Sequence, residues 1–220
     1  MKIDRHGQAK ILNSDELERL FEVGLQTNRD RGSETEFYRA LFGICLYSAC
    51  RIREACTLLT KDVYLRKGIV LQEIIFRKGN TKGKLATRAI PVIEELRSIL
   101  LEYHPGNSRF LFPGLKGSHV HPDSASRVFR KACSRVGIVG ASTHSFRRTA
   151  LTRMSDAGIP LRVIQEISGH RNLEQLQRYL EVHPDQVRGA VSALSALNLG
   201  KKPHAALDLA DSVDGDSSLF

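Results

Sequence analysis

Leu17, Leu20, Phe21 and Leu25 share one face at helical spacing. They follow Asn13 and a Glu16 three residues on, the signature of a capping box, so a helix is expected over 13–27. Residues 28–34 are polar and read as a loop. A strongly apolar helix is expected over 36–49, and a short one from about 51 to 59. The pattern then changes. GIVLQEIIFR, residues 68–77, is rich in β-branched positions and reads as a strand. KGNTKGKLA, 78–86, is a turn with three lysines, and TRAIPV, 87–92, is the returning strand of a hairpin. Helical periodicity resumes over 93–103. A Gly/Pro-rich loop spans 105–121, and helices are expected over 122–136, 144–157, 161–168, 173–180 and 184–197. The pattern predicts a mainly α fold with a small antiparallel β-sheet (α+β). It forms one domain over 13–199, with an N-terminal extension, 1–12, and a polar, flexible tail, 200–220, that either stays solvated or orders on a partner.

Composition narrows the class. A hydrophobic fraction of 41% suits a soluble globular protein. No apolar run is long enough to span a membrane, and the N-terminus has no secretory core, so the expected compartment is the cytoplasm. Cys45, Cys50, Cys56 and Cys133 form no C-x-x-C pair and have no histidine at zinc-finger spacing; they read as buried, reduced thiols. The net charge of +9 points to a polyanion, most simply nucleic acid. Residues 201–220 hold two Lys and four Asp, and their net of −2 leaves +11 on residues 1–200.

Four segments carry candidate chemistry. SACRIREACTL, 48–58, places Arg51 at a helix start in apolar surroundings, with Glu54 one turn on as its anion. The hairpin turn sets Lys78, Lys82 and Lys84 beside Gly79 and Gly83, where a phosphate backbone can approach closely. THSFRRTALTRM, 143–154, puts His144 and Arg147 three apart on one helical face. ISGHRNLEQLQRYLEV, 167–182, ends a helix at Ser168-Gly169, puts His170 in the turn and carries Tyr179 nine residues later. Taken singly, each reads as readily as ordinary packing, a helix ion pair or a solvated turn.

Taken in order, Arg51, Lys82, His144, Arg147, His170 and Tyr179 resemble the tyrosine recombinase (phage integrase) family. SACRIRE is similar to its TGxRxxE box, HSFRRT to its HxLRRT box, and SGH followed by RY to its LGH…Y box. The resemblance covers about residues 12–182. Ser48-Ala49 stands for the usual Thr-Gly, Phe146 for the usual Leu, and Leu176 for a common small polar residue near the tyrosine. Family members also carry an N-terminal helical domain that clamps DNA. Only about 12 residues precede the catalytic domain here, as in a truncated chain or a short single-domain member.

The resemblance implies a site-specific recombinase acting on double-stranded DNA. Tyr179 is then the nucleophile, and the intermediate is a 3′-phosphotyrosine with a free 5′-hydroxyl. Arg51, Arg147 and His170 hold the phosphate, His144 accepts the tyrosine proton, Lys82 protonates the leaving oxygen, and Glu54 orients Arg51. No metal or nucleotide cofactor is implied. The partners implied are a homo-oligomer on DNA, a tetrameric synapse, together with accessory DNA-bending proteins and no membrane. Two other readings stay open: a type IB topoisomerase-like enzyme that relaxes DNA, and a catalytically silent DNA-binding regulator.

Overall fold

The computed structural model describes residues 9–26, 32–66, 68–80, 87–177 and 184–194. The chain divides into two units, Met1–Glu181 and Val182–Phe220. Within the first, α1 (Ser14–Arg19) opens on the expected capping box. The Asn13 side chain accepts from the Glu16 amide at 2.8 Å, and Glu16 accepts from the Asn13 amide at 3.2 Å. The helix then widens into a π turn, Leu20–Gly24, that packs on α5 (Pro122–Arg135). Gly24 permits this approach, since a side-chain carbon there would stand 3.0 Å from the Ala132 carbonyl.

The central helix α2 (Gly32–Tyr47) begins inside the stretch expected to be a loop. Its first turn is polar, with Glu34 near the positive end of the helix dipole, so no apolar periodicity marks its start. Ala40, Leu41, Phe42, Ile44 and Cys45 are fully buried on it. It ends at Tyr47, two residues short of the expectation, because Ala49 turns the chain with a left-handed φ of 51°. The next helix, α3 (Ile52–Cys56), is shorter than expected, with Arg51 at its N-cap.

The expected strand over 68–77 is two strands in two different sheets. β1 (Tyr64–Arg66), which the sequence pattern did not indicate, pairs antiparallel with β2 (Ile69–Val70). β3 (Glu73–Phe76) pairs antiparallel with β4 (Arg88–Pro91), in a register that sets Phe76 opposite Arg88 and Ile74 opposite Ile90. Between them Leu71 donates to Val63 and Gln72 accepts from Val92, both at 2.8 Å, so the run changes partner in mid-course. The helix α4 (Glu94–Glu102) buries Leu96 and Leu100 and packs on α2.

The remaining helices of this unit carry the candidate segments: α5, α6 (His144–Asp156), α7 (Leu161–Ser168) and α8 (Leu173–Gln177). Phe146 enters the core at the start of α6. It stacks on Phe42 at 5.4 Å and meets Phe129 edge-on at 5.0 Å. The aromatic ring in place of the family's leucine therefore fills an aromatic core. Arg148 and Thr149 hold the N-terminal segment, donating to the Ala9 carbonyl and accepting from the Leu12 amide. The helix is thus fixed in rotation, and His144 and Arg147 are left on the site face. A smaller cluster buries Ala49, Leu151, Ile164 and Leu176 together, anchoring α8. In the second unit, α9 (Pro184–Ala193) exposes Val187 and Val191. Among the described residues no helix is long and apolar enough to cross a membrane.

The left-handed turn at Ala49 gives a quantitative test. Strain at this φ is about 1–2 kcal/mol. Glycine would relieve it, yet would add about 0.5–1 kcal/mol of unfolded-state entropy and forfeit about 0.8 kcal/mol of buried methyl. Ala49→Gly is therefore expected within about 1 kcal/mol of wild type in urea unfolding. Ala49→Val, β-branched at positive φ, is expected to lose at least about 2 kcal/mol. Equal stability of the valine variant would contradict the turn.

Candidate active site

Three segments distant in sequence meet at the C-terminal end of α2. The Ala49 turn presents its carbonyl inward, where it accepts from Arg147 Nη1 at 2.6 Å. Arg147 is buried, as expected for the inner face of α6 behind Phe146. Its Nη2 lies 3.1 Å from Nε2 and 3.2 Å from Nδ1 of His170. His170 follows Gly169, the left-handed cap of α7. Its carbonyl accepts from Gln165 Nε2 at 3.0 Å, and its Nδ1 lies 2.8 Å from the Ser168 hydroxyl. The imidazole is held at both ends.

Arg51 stands beside this group. Its amide donates to Glu54 at 2.9 Å, and its guanidinium reaches the same carboxylate at 3.3 Å. Glu54 is buried and binds a second arginine more closely: Arg88 Nη2 donates to it at 2.8 Å and Nη1 at 3.4 Å. Arg88 lies over the Phe76 ring, 4.6 Å from its centroid, which is the cross-strand pairing of β3 and β4. It also presses on the His170 turn, since a side-chain carbon on Gly169 would come within 2.8 Å of Arg88 Nη1. Arg88 thus touches the Arg51 box, the hairpin and the turn before His170. No motif in the sequence marks it. The available signal was parity, because Arg88, Ile90 and Val92 alternate inward and an inward arginine needs an anion.

The pocket is strongly positive, and its titratable groups respond. Burial, followed by the charge of Arg51, brings Arg147 down to about 10. His170 is lowered to about 3, by burial first and then by Arg147 and Arg51. His144, the first residue of α6, is exposed along one edge. Partial burial, then Arg147 and Arg51, hold it below 6.5. Burial would raise Glu54, but the hydrogen bonds and charge of Arg88, followed by those of Arg51, outweigh it and hold the carboxyl below its usual range. Both histidines are therefore neutral near pH 7. Among the described residues no carboxylate lies within ion-pair distance of Arg147, and no cluster of three or more His, Cys, Asp or Glu is placed to hold a metal ion.

Of the seven residues singled out in the sequence, five are described: Arg51, Glu54, His144, Arg147 and His170. Lys82 and Tyr179 lie outside the described residues. The hairpin stem is described as far as Asn80, and within it the Lys78 amide donates to the Thr87 hydroxyl at 3.1 Å. The helix that leads to Tyr179 is described to Gln177, and Leu176 within it is fully buried. A polar cleft of about 700 Å³ begins next to His144; Arg127, Arg130, His121 and Asp123 line it, with Ser124, Ser126, Ser142 and Thr143. A larger apolar groove, about 880 Å³, runs along β1 and the 103–109 loop and contains none of the candidate residues. All four cysteines are buried free thiols, and Cys56 is pushed up to about 12 by burial.

The phage integrase family pattern matches residues 10–186, which span every segment of this pocket. The chain belongs to the phage integrase family. Relatives within it include the tyrosine recombinase XerC of Corynebacterium glutamicum, 27% identical over 180 residues that cover 79% of this chain and 54% of the relative. The XerC of Halalkalibacterium halodurans is 32% identical over 162 residues, covering 68% of this chain and 52% of its own length. The chain spans about half the length of the curated relatives it matches. Among solved structures, the XerA recombinase superposes with a TM-score of 0.65 at 22% identity, covering 84% of this chain and 64% of XerA. The XerH site-specific recombinase bound to its difH substrate gives 0.63 at 23% identity, covering 83% and 53%. These likenesses establish the family's catalytic-domain fold.

The Glu54–Arg88 pair tests the pocket's frame without DNA. Removing one partner of a buried ion pair typically costs about 3–5 kcal/mol. Arg51 still partners Glu54, so Arg88→Met is expected to lose about 2–3 kcal/mol at pH 7. Because the folded-state pKa of Glu54 is depressed, this contribution is present above the unfolded value near 4.5 and is lost as pH falls through the folded value. Urea unfolding should therefore show the deficit shrinking in acid. A variant as stable as wild type at pH 7, or a deficit independent of pH, would contradict the pairing.

Proposed function

We propose that the chain is the catalytic part of a site-specific DNA recombinase that cleaves and rejoins strands through a 3′-phosphotyrosyl intermediate at Tyr179. The observation that carries this reading is Arg147, a buried cation bonded to a carbonyl and an imidazole and flanked by further positive charge. Such a group awaits an anion, and family membership makes a DNA phosphodiester the natural one. The polar cleft beside His144, whose two arginines, Arg127 and Arg130, outnumber its one carboxylate, Asp123, supports a path for the adjoining backbone.

Attack on the phosphodiester builds charge on its non-bridging oxygens. Arg147, buried, and Arg51, half-buried, neutralise that charge with donors that are charged near pH 7 and in place before the reaction. His170, neutral near pH 7, adds a hydrogen bond from its ring. His144, also neutral, has a lone pair to take the proton of Tyr179, whose hydroxyl would otherwise ionise only near pH 10. Lys82 protonates the departing 5′-oxygen. Glu54, shared by Arg51 and Arg88, keeps the first arginine in place. The phosphotyrosine bond conserves the energy of the broken phosphodiester, so the strand can be resealed without a nucleotide cofactor. Exchange between two duplexes requires several protomers, a tetramer in the simplest synapse.

The experiment is covalent capture. Incubated with a nicked suicide duplex carrying its site, the protein should yield a denaturant-resistant adduct. Tyr179→Phe, which keeps the ring and loses the attacking oxygen, should bind that duplex with near-normal affinity and give none. An adduct that survives in Tyr179→Phe would refute the assignment. DNA binding without any adduct from wild type would favour a silent regulator, and relaxation of supercoiled plasmid without exchange would favour a topoisomerase.

A further inference from the structure

Glu54 lies between two arginines, and they do not hold it equally. A carboxylate offers about four acceptor positions, and here each is used. Arg88 takes both oxygens in a fork, Nη2 to Oε2 at 2.8 Å and Nη1 to Oε1 at 3.4 Å. The Arg51 amide donates to Oε2 at 2.9 Å. The Arg51 guanidinium is left with a single bond to Oε1 at 3.3 Å, beyond the usual hydrogen-bond range. Arg88 is also confined from two other sides. Its guanidinium lies 4.6 Å from the centroid of the Phe76 ring, and the backbone at Gly169 passes so close that a side-chain carbon there would stand 2.8 Å from Nη1. The Arg88 side chain is 11% exposed and that of Arg51 24%. The deeper arginine is committed to the carboxylate, and the shallower one stands beside Arg147 with most of its donors uncommitted.

We propose that Arg88 is a positioning residue that, by holding the Glu54 carboxylate, keeps the guanidinium of Arg51 free to bind a phosphate. Two cations and one carboxylate leave a single net positive charge, and the fork leaves that charge on Arg51. The titration of Glu54 follows the same order: burial would raise it, Arg88 lowers it most, and Arg51 lowers it less. Without Arg88 the buried carboxylate would have one cation left to pair with, and an unpaired buried charge is costly. Arg51, already tied to the same carboxylate by its amide, needs only a side-chain rotation to close two donors on it. That pair is neutral and satisfied, so an entering phosphate would have to break it. A lysine at position 88 would keep the charge but lose the fork. The order of the two arginines belongs to the free protein. Its catalytic consequence rests on the function proposed above.

Arginine side-chain ¹⁵N spectra of the full chain at neutral pH, without DNA, read the order directly, with the two signals assigned from their loss in Arg51→Lys and Arg88→Lys. In wild type, rotation about the Nε–Cζ bond should be slow for Arg88 and fast for Arg51. A wild-type Arg51 as hindered as Arg88 would overturn the proposal whether or not any variant folds. In Arg88→Met the slow rotation should pass to Arg51, and an Arg51 that stays mobile there would overturn it too. In the covalent-capture assay at saturating protein, Arg88→Met should form adduct about a hundredfold more slowly, the usual cost of one lost transition-state donor. Combining Arg88→Met with Glu54→Gln should recover most of that rate. The glutamine oxygen still accepts from the Arg51 amide, and the side chain carries no charge to draw the guanidinium. If Arg88 served packing alone, the second substitution would recover nothing, and a double variant as slow as the single one would overturn the catalytic half. Failure of wild type to form any adduct would instead reject the recombinase reading and leave the spectral result standing.

Discussion

A guanidinium buried with no carboxylate at ion-pair distance among the described residues is the constraint around which this domain is arranged. Taking a charge out of water costs several kcal/mol even after relaxation, and Arg147 recovers part of that from the Ala49 carbonyl and the His170 ring. Neither partner carries a negative charge; Arg51 and Arg88 add positive field, and Glu54 offsets part of it from a distance. The elements around it serve to keep this unfavourable arrangement fixed. Phe146 locks α6 into the aromatic core, Ala49 accepts left-handed strain to offer its carbonyl, and Gly169 ends α7 so that His170 turns inward. An anion entering the pocket would relieve this charge.

Glu54 is the counterweight. It is the one described carboxylate shared by two arginines of the pocket, and through Arg88 it ties the β3–β4 hairpin to the helix that carries Arg51. The β3–β4 hairpin is therefore connected at its base to the helix that begins at Arg51. The departures from the family boxes fit the same frame. Leu176 and Ala49 are buried in one small cluster, so the substitutions at the turn before Arg51 and beside the tyrosine fall in a shared packing environment.

Much of this was legible from residue spacing. The Asn13–Glu16 box, the limits of α6 to within one residue and the whole of α7 came from caps and 3.6-residue periodicity, which are local properties. The β region was less legible for a physical reason. Residues 68–77 are apolar and β-branched throughout, and the break at Leu71-Gln72 is made by hydrogen bonds to Val63 and Val92, which no local pattern encodes. The polar first turn of α2 escaped for want of apolar periodicity. Arg88 escaped because its importance comes from register, opposite Phe76 and above Glu54, and not from a motif. His144, Arg147 and His170 were visible as spacings, but their neutral or depressed titration follows only from burial among like charges.

The most direct test of the central claim is anion-linked stability in the absence of DNA. Thermal unfolding is followed in rising inorganic phosphate, with chloride adjusted to constant ionic strength, for wild type and for Arg147→Met. A ligand held only by the folded state contributes about 1.4 kcal/mol at ten times its Kd, or roughly 3–6 °C in Tm for a chain of this size. Wild type should rise along such a saturating curve, and Arg147→Met, which has no buried charge to neutralise, should remain flat. A wild type indifferent to phosphate, or a variant that rises equally, would contradict the account.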